Sequence, residues 1–217
     1  MDWTVWLVGV SFFFFLLIGV PVSFALTGIA MLGTIISWGV PGLYQVVSTT
    51  YGDATSFIFI AIPLFILMAN FLQRSGLADD LYEIIFLWSG NLRGGLAIGT
   101  VIICAIFGAM SGVSSVATVT MGLIALPAMF NRGYNKSIVL GSIMAGGALG
   151  ILIPPSIIMI IYAGIANVSV GKLFMAGILP GLLLCLIFVA YIFIRCYLNP
   201  DMGPPIPEKH SLKQKLQ

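Results

Sequence analysis

Between Gly108 and Gly122 the chain reads GAMSGVSSVATVTMG. Ser111, Ser114, Ser115, Thr118 and Thr120 place hydroxyls here, Gly112 lies among them, and no residue is charged. Hydroxyl and carbonyl oxygens are hard ligands that suit a small cation such as Na⁺. A second run, GGALGILIPPS from Gly146 to Ser156, interrupts an apolar stretch. Pro154 and Pro155 have no N–H to donate, so carbonyls around Gly150–Ile153 lose their ordinary helical partners. A break of this kind also leaves a helix N-terminus, whose open N–H groups and partial positive charge suit an anion. The candidate ion- and substrate-binding residues are Ser111, Gly112, Ser114, Ser115, Thr118, Gly150, Ile151, Pro154, Pro155 and Ser156, with Na⁺ expected near Ser114, Ser115 and Gly150. Small and hydroxyl residues also serve close helix packing in membranes. For Gly146, Gly147 and Gly150 that role stands beside a direct one.

The framework that must hold these residues is apolar. The chain has 217 residues, 60% of them hydrophobic and 7% charged, and a mean hydropathy of +1.13. Soluble domains carry about 25% charged residues, so this composition points to an integral membrane protein. Apolar runs cover Trp3–Val20, Val22–Val40, Phe57–Leu72, Tyr134–Ala166 with its break, and Leu173–Tyr197. They predict an all-α polytopic fold with about five transmembrane helices and one broken helix. Pro41–Ser56 reads as a surface loop or a short interfacial helix. In QRSGLADDLYEIIFLWSG, Leu77, Leu81, Ile84, Ile85 and Trp88 share one side, with Asp79, Asp80 and Glu83 mostly on the other. This is the pattern of an amphipathic helix lying in the interface.

The two halves flanking the Gly/Ser stretch are about 14 residues each and cover roughly 20 Å, less than the ~30 Å hydrocarbon core. They form either one long helix or a re-entrant helical hairpin with its tip at Ser111–Ser115. Charge favours the hairpin. Lys and Arg gather in cytoplasmic loops, and Arg74, Arg93, Arg132, Lys136, Arg195, Lys209, Lys213 and Lys215 share one side only if Arg93 and Arg132 do. A single spanning helix between those two would separate them. The N-terminus is then outside and the C-terminus inside.

Several function classes fall away. The net charge of +2 is small and sits at segment ends, so no nucleic-acid surface is expected. Cys104, Cys185 and Cys196 lie in or beside apolar segments without CxxC spacing, and His210 is alone in a polar tail of no expected order. No HExxH motif and no carboxylate within an apolar span supports an intramembrane enzyme. The MDWTVW opening has no basic n-region, so the first run reads as a retained helix and not as a signal peptide.

With both motifs in place, FGAMSGVSSVATVTMG followed by GGALGILIPPSIIMIIYA resembles the large membrane (M) subunit of tripartite ATP-independent periplasmic (TRAP) transporters, of the ion-transporter superfamily. FLLIGVPVSFAL and IPLFILMANFLQRSGLADDL fit its early spans, and the resemblance reaches about residue 200. It implies a bacterial inner-membrane secondary transporter with Na⁺ as coupling ion, no other cofactor and an elevator mechanism. The substrate would be an organic anion such as a C4-dicarboxylate or sialic acid, delivered by a periplasmic substrate-binding protein. A small (Q) membrane subunit would brace the scaffold. Residues 1–90 would be scaffold with an arm helix, 91–167 the transport-domain half, 168–198 the last transmembrane helix and 199–217 a polar cytoplasmic tail.

Two features depart from the family pattern. Val113 stands where a further small polar residue would suit the tip. Members are about twice this length, with an inverted second repeat, so the chain is expected to be the N-terminal half and its C-terminal half a missing partner. The other readings are a half-length transporter acting as a homodimer without a binding protein, and a structural membrane fragment that transports nothing.

Overall fold

A computed structural model describes residues 3–89 and 92–205. His210 and the tail lysines lie outside the described residues, as does the side chain of Trp88. Among the described residues there are helices and no strands, as the all-α expectation requires. The contacts gather into two compact units, residues 1–56 and 57–217.

In the first unit α1 (Trp3–Leu17) packs on α2 (Val22–Trp38), and α3 (Gly42–Ala54) follows. Gly19, at φ 85°, turns the chain out of α1, and Pro21 then caps α2. Its missing N–H costs nothing at a helix start. Ala25 and Ile29 are the buried residues of α2, four apart on one face. Pro41–Ser56, open between loop and helix, is largely helix, with no buried residue on α3.

The second unit begins with a 3₁₀ turn (Phe57–Ile60) and α4 (Ala61–Arg74), then α5 (Leu77–Ser89), α6 (Gly95–Ser111), α7 (Ser114–Phe130), α8 (Lys136–Leu152), α9 (Ile157–Ala166) and α10 (Val170–Leu198). A 3₁₀ turn at Pro200–Met202 closes it. Helix α6 is apolar all round and supplies the fully buried Leu96, Val101, Ile103, Cys104 and Phe107. A helix of that kind belongs in the middle of a bundle. Helices α5, α7, α8 and α10 all pack on it.

Among the described residues, three stretches are long and apolar enough to cross a membrane: Phe57–Arg74, Lys136–Ala166 and Val170–Leu198. Helices α1 and α2, with 15 and 17 residues, cover only about 23 and 26 Å at 1.5 Å per residue. The chain is a multi-pass membrane protein.

Two expectations about α5 and the tail change. The face of α5 that packs inward carries Ala78 and Tyr82, with Ile85 and Phe86 partly buried, whereas Ile84 is 51% exposed. The face is set by Gly99, whose bare backbone accepts Ile85: a Cβ there would lie 1.9 Å from Ile85 Cγ2. Asp79, Asp80 and Glu83 stay exposed as expected. The expected loose tail is folded over residues 199–205. Met202 and Gly203 reach back to the bundle, where the Asn135 N–H donates to the Met202 carbonyl at 3.1 Å and the Gly94 N–H to the Gly203 carbonyl at 2.9 Å.

Those bonds fix the topology of the Gly/Ser stretch. Gly94 opens α6 and Asn135 follows α7, so α6 leaves and α7 returns at one end of the bundle, where α10 also ends. The stretch is a helical hairpin, and the single long helix is excluded. Arg93 and Arg132 thus lie at the same end, as the charge argument required. The Arg132 guanidinium sits 4.5 Å over the Phe86 ring and donates to the Ala128 carbonyl at 2.9 Å. Tyr134 Oη accepts from the Leu96 N–H at 3.4 Å. Burial pushes the phenols of Tyr82 and Tyr134 up to about 12.

Candidate ion and substrate site

The hairpin tip is shorter than its sequence implied. Ser111 is the last residue of α6, and Ser114 and Ser115 are the first of α7. The turn is Gly112 and Val113 alone. Gly112 adopts φ 67°, a left-handed conformation that glycine enters without a Cβ penalty, and its N–H closes on the Gly108 carbonyl at 2.8 Å. Val113 is extended and leads into α7 with no side-chain cap. The first N–H groups of α7 therefore face outward with no capping side chain.

The break follows the same logic. Helix α8 persists through Gly150 and ends at Leu152, residues 153–156 are irregular, and α9 starts at Ile157 behind Ser156 without a side-chain cap. In an unbroken helix the carbonyls of Gly150 and Ile151 would accept from residues 154 and 155. Both are proline. Ser156 Oγ donates to the Ile151 carbonyl instead, at 2.6 Å.

Hairpin and break meet. The Ile157 N–H donates to the Gly112 carbonyl at 3.2 Å. Gly108 and Gly150 touch through their backbones, since a Cβ on Gly108 would lie 2.6 Å from Gly150 Cα. Gly150 also faces Ser114, and Gly147 lies under the Thr118 hydroxyl. Close packing and a direct role thus coincide: the glycines bring the carbonyl-bearing backbone up to the hydroxyl-bearing helix.

A cleft of about 620 Å³ opens at this junction. It is lined by Gly112, Ser114, Ser115, Thr118 and Ile151 from the expected set. Val113, Val119, Ile157 and Ile158 line it too, with Ile66 from α4. Ser111, Gly150, Pro154, Pro155 and Ser156 stand outside the lining. Ser111 is fully buried, and its Oγ lies 3.4 Å from the Gly108 carbonyl and 3.3 Å from that of Val113. Ser156, equally buried, is held by Ile151. Thr118 Oγ1 donates to the Ser114 carbonyl at 2.9 Å, which leaves its lone pairs available.

No charged side chain lines the cleft. Its walls are mostly apolar; the polar side chains on them are the hydroxyls of Ser114, Ser115 and Thr118, and α7 and α9 both begin at its wall. Carbonyls and hydroxyls can hold a desolvated monovalent cation, and paired helix N-termini can hold a carboxylate. Among the described residues no group of three or more His, Cys, Asp or Glu could hold a metal ion.

Ile66 had no signal of its own in the sequence. Gly108 could have been found from its spacing, three residues before Ser111 on the helix face that meets α8.

Comparison with known proteins gives one consistent result. Residues 9–215 match the family described as "Tripartite ATP-independent periplasmic transporter, DctM component". The C4-dicarboxylate TRAP transporter large permease protein DctM of Vibrio cholerae is 36% identical over 91% of this chain and 44% of its own length. The ectoine TRAP transporter large permease protein TeaC of Halomonas elongata is 35% identical over 93% of this chain and 47% of its own. The sialic acid TRAP transporter large permease protein SiaM of Vibrio cholerae is 26% identical over 92% and 46%. The chain spans about half the length of the curated relatives it matches.

Proposed function

We infer the function from one premise: the chain belongs to the DctM-component family of tripartite ATP-independent periplasmic transporters, a family of permease subunits and not of enzymes. It works as the site-bearing half of a large permease that takes up an organic anion with Na⁺. The observation that carries this reading is the junction itself. Ile151 of the break, the hydroxyl residues Ser114, Ser115 and Thr118, and the first residues of α7 and α9 line one uncharged cleft. Oxygen ligands serve the cation, and N–H groups serve the anion.

C4-dicarboxylates and sialic acid are the first substrates to try, since relatives carry those names. The protein acts in the bacterial inner membrane with its N-terminus periplasmic and its C-terminal end cytoplasmic, which puts the arginine-bearing foot of the hairpin inside. Its partners are a small membrane subunit, a periplasmic substrate-binding protein and the C-terminal half of the large subunit. Residues 91–167 form the moving half of an elevator, and residues 1–90 belong to its scaffold.

The test is Na⁺-dependent uptake of radiolabelled C4-dicarboxylates and sialic acid in proteoliposomes, with and without the three partners. Uptake in the complete assembly that is lost with Ser114→Ala plus Ser115→Ala supports the reading. Uptake by the 217-residue chain alone replaces the half-permease with a self-sufficient dimer. Uptake that is indifferent to Na⁺ or to both serines removes the site.

A further inference from the structure

We propose that Gly177 and Gly181 of α10 are positioning residues that set the carbonyls of the break at ligating distance; this rests on the ion site proposed above. Helix α10 is exposed around these glycines: Met175 is 72% exposed, Leu179 77% and Leu183 57%. Gly177 and Gly181 are buried nonetheless. Glycine in a helix interior costs about 1 kcal/mol relative to alanine, so two within five residues need a reason. The break supplies it.

A Cβ on Gly177 would lie 3.0 Å from the Leu152 carbonyl oxygen and 2.6 Å from Met159 Cε. A Cβ on Gly181 would lie 2.7 Å from Ile153 Cγ1, 3.5 Å from Ile153 Cα and 3.6 Å from its nitrogen. On the opposite side the same turn of α8 rests on Gly108 through Gly150. The end of α8 and Ile153 are therefore held between the backbone of α6 at Gly108 and the backbone of α10 at Gly177 and Gly181. A shift of a few tenths of an ångström in α10 passes directly to Leu152 and Ile153, the residues that follow the Gly150 and Ile151 carbonyls in the chain.

The experiment measures the Na⁺ dependence of uptake by the full-length permease, assembled with its small subunit and binding protein, for Gly177→Ala and Gly181→Ala. Half-saturating Na⁺ should rise roughly ten-fold, as when a group behind a metal ligand is altered. The maximal rate at saturating Na⁺ should stay within about two-fold, because binding and not turnover is disturbed. Ile153→Ala removes the Cγ1 that Gly181→Ala would strike, so the pair should return toward the original Na⁺ dependence. Gly171→Ala, on the same helix with only Ser169 Oγ at 3.9 Å, should change nothing.

If Gly177→Ala does not reach the membrane, Gly181→Ala with and without Ile153→Ala decides the matter. Unchanged half-saturating Na⁺ in the glycine variants overturns the proposal. So does a defect that Ile153→Ala leaves in place. If the Ser114→Ala plus Ser115→Ala protein loses Na⁺ dependence while the glycine variants keep it, only this proposal fails. Absence of Na⁺ dependence in the unaltered assembly overturns the ion site and this proposal together.

Discussion

Replacing Gly108 by alanine should destabilise the hairpin even though alanine is the better helix former. The added Cβ would sit 2.6 Å from Gly150 Cα and 3.0 Å from its nitrogen, both backbone atoms. Carbon atoms pack at about 3.5–4.0 Å, so α6 and α8 must separate by roughly 1 Å at this point. Overpacking of this kind costs about 1–3 kcal/mol. Against it stands a gain of about 1 kcal/mol in helix propensity. The balance is a net loss of up to about 2 kcal/mol, or a fall of several degrees in melting temperature by the usual ~2–4 °C per kcal/mol for chains of this size. Gly122→Ala provides the internal contrast. Gly122 lies within α7 and nothing stands within 4 Å of its Cβ position. Only the propensity gain remains there, and the sign reverses. The assay is thermal unfolding of both purified variants in one detergent, followed by circular dichroism. A Gly108→Ala protein that melts above the parent, as Gly122→Ala should, would refute the contact between hairpin and break, and with it the geometry of the cleft.

Three further outcomes follow from particular residues. Gly112→Ala forces an L side chain into φ 67° and places its Cβ 3.1 Å from the Pro155 carbonyl oxygen; the left-handed conformation alone costs about 1–2 kcal/mol, and faster amide exchange at the start of α7 should report it. Asn135→Ala removes the side-chain oxygen that accepts from the Ser137 N–H at 2.9 Å; loss of this cap should lower stability by about 1 kcal/mol, read as a drop in melting temperature. Tyr82 and Tyr134 are held neutral by burial, with pKa values raised from 10.0 to about 12. Their contribution to stability is complete below pH 10 and is lost as pH rises toward 12, because the unfolded phenol ionises first. Phenolate absorbance should show these two titrating well above pH 10, and their titration near pH 10 in the folded protein would contradict the burial.

The hairpin and the break were legible because each violates a rule of lipid-facing helices. Ser114, Ser115 and Thr118 are polar without need, and Pro154 and Pro155 remove donors that lipid cannot replace. The shared end of Arg93 and Arg132 was legible because charge sorts by side of the membrane. Which face of a helix packs inward was harder. Ile84 and Ile85 are equally apolar, but lipid and protein reward apolar surface alike, so periodicity could not tell that Ile85 meets Gly99 and Ile84 stands exposed. The contact of Gly108 with Gly150, and of Gly181 with Ile153, depends on which backbones cross, and a single chain does not write that down. The tip was overestimated for a related reason: Ser111 and Ser114 read as loop residues, yet one left-handed glycine suffices to turn the chain.

The bonds that Met202 and Gly203 make to Asn135 and Gly94 also bear on how the protein is made. Both use main-chain carbonyls, so replacing the side chain of residue 202 leaves the bonding groups in place. Gly94, however, leaves the ribosome about a hundred residues before Gly203. Throughout that interval the hairpin can enter the membrane while its foot remains unfastened. It is fastened only when α10 has been inserted and the residues behind it fold back. Insertion of α10 is thus the step that completes the hairpin at its base. A nascent chain arrested before residue 200 should carry the same hairpin with its amides at Gly94 and Asn135 open to exchange.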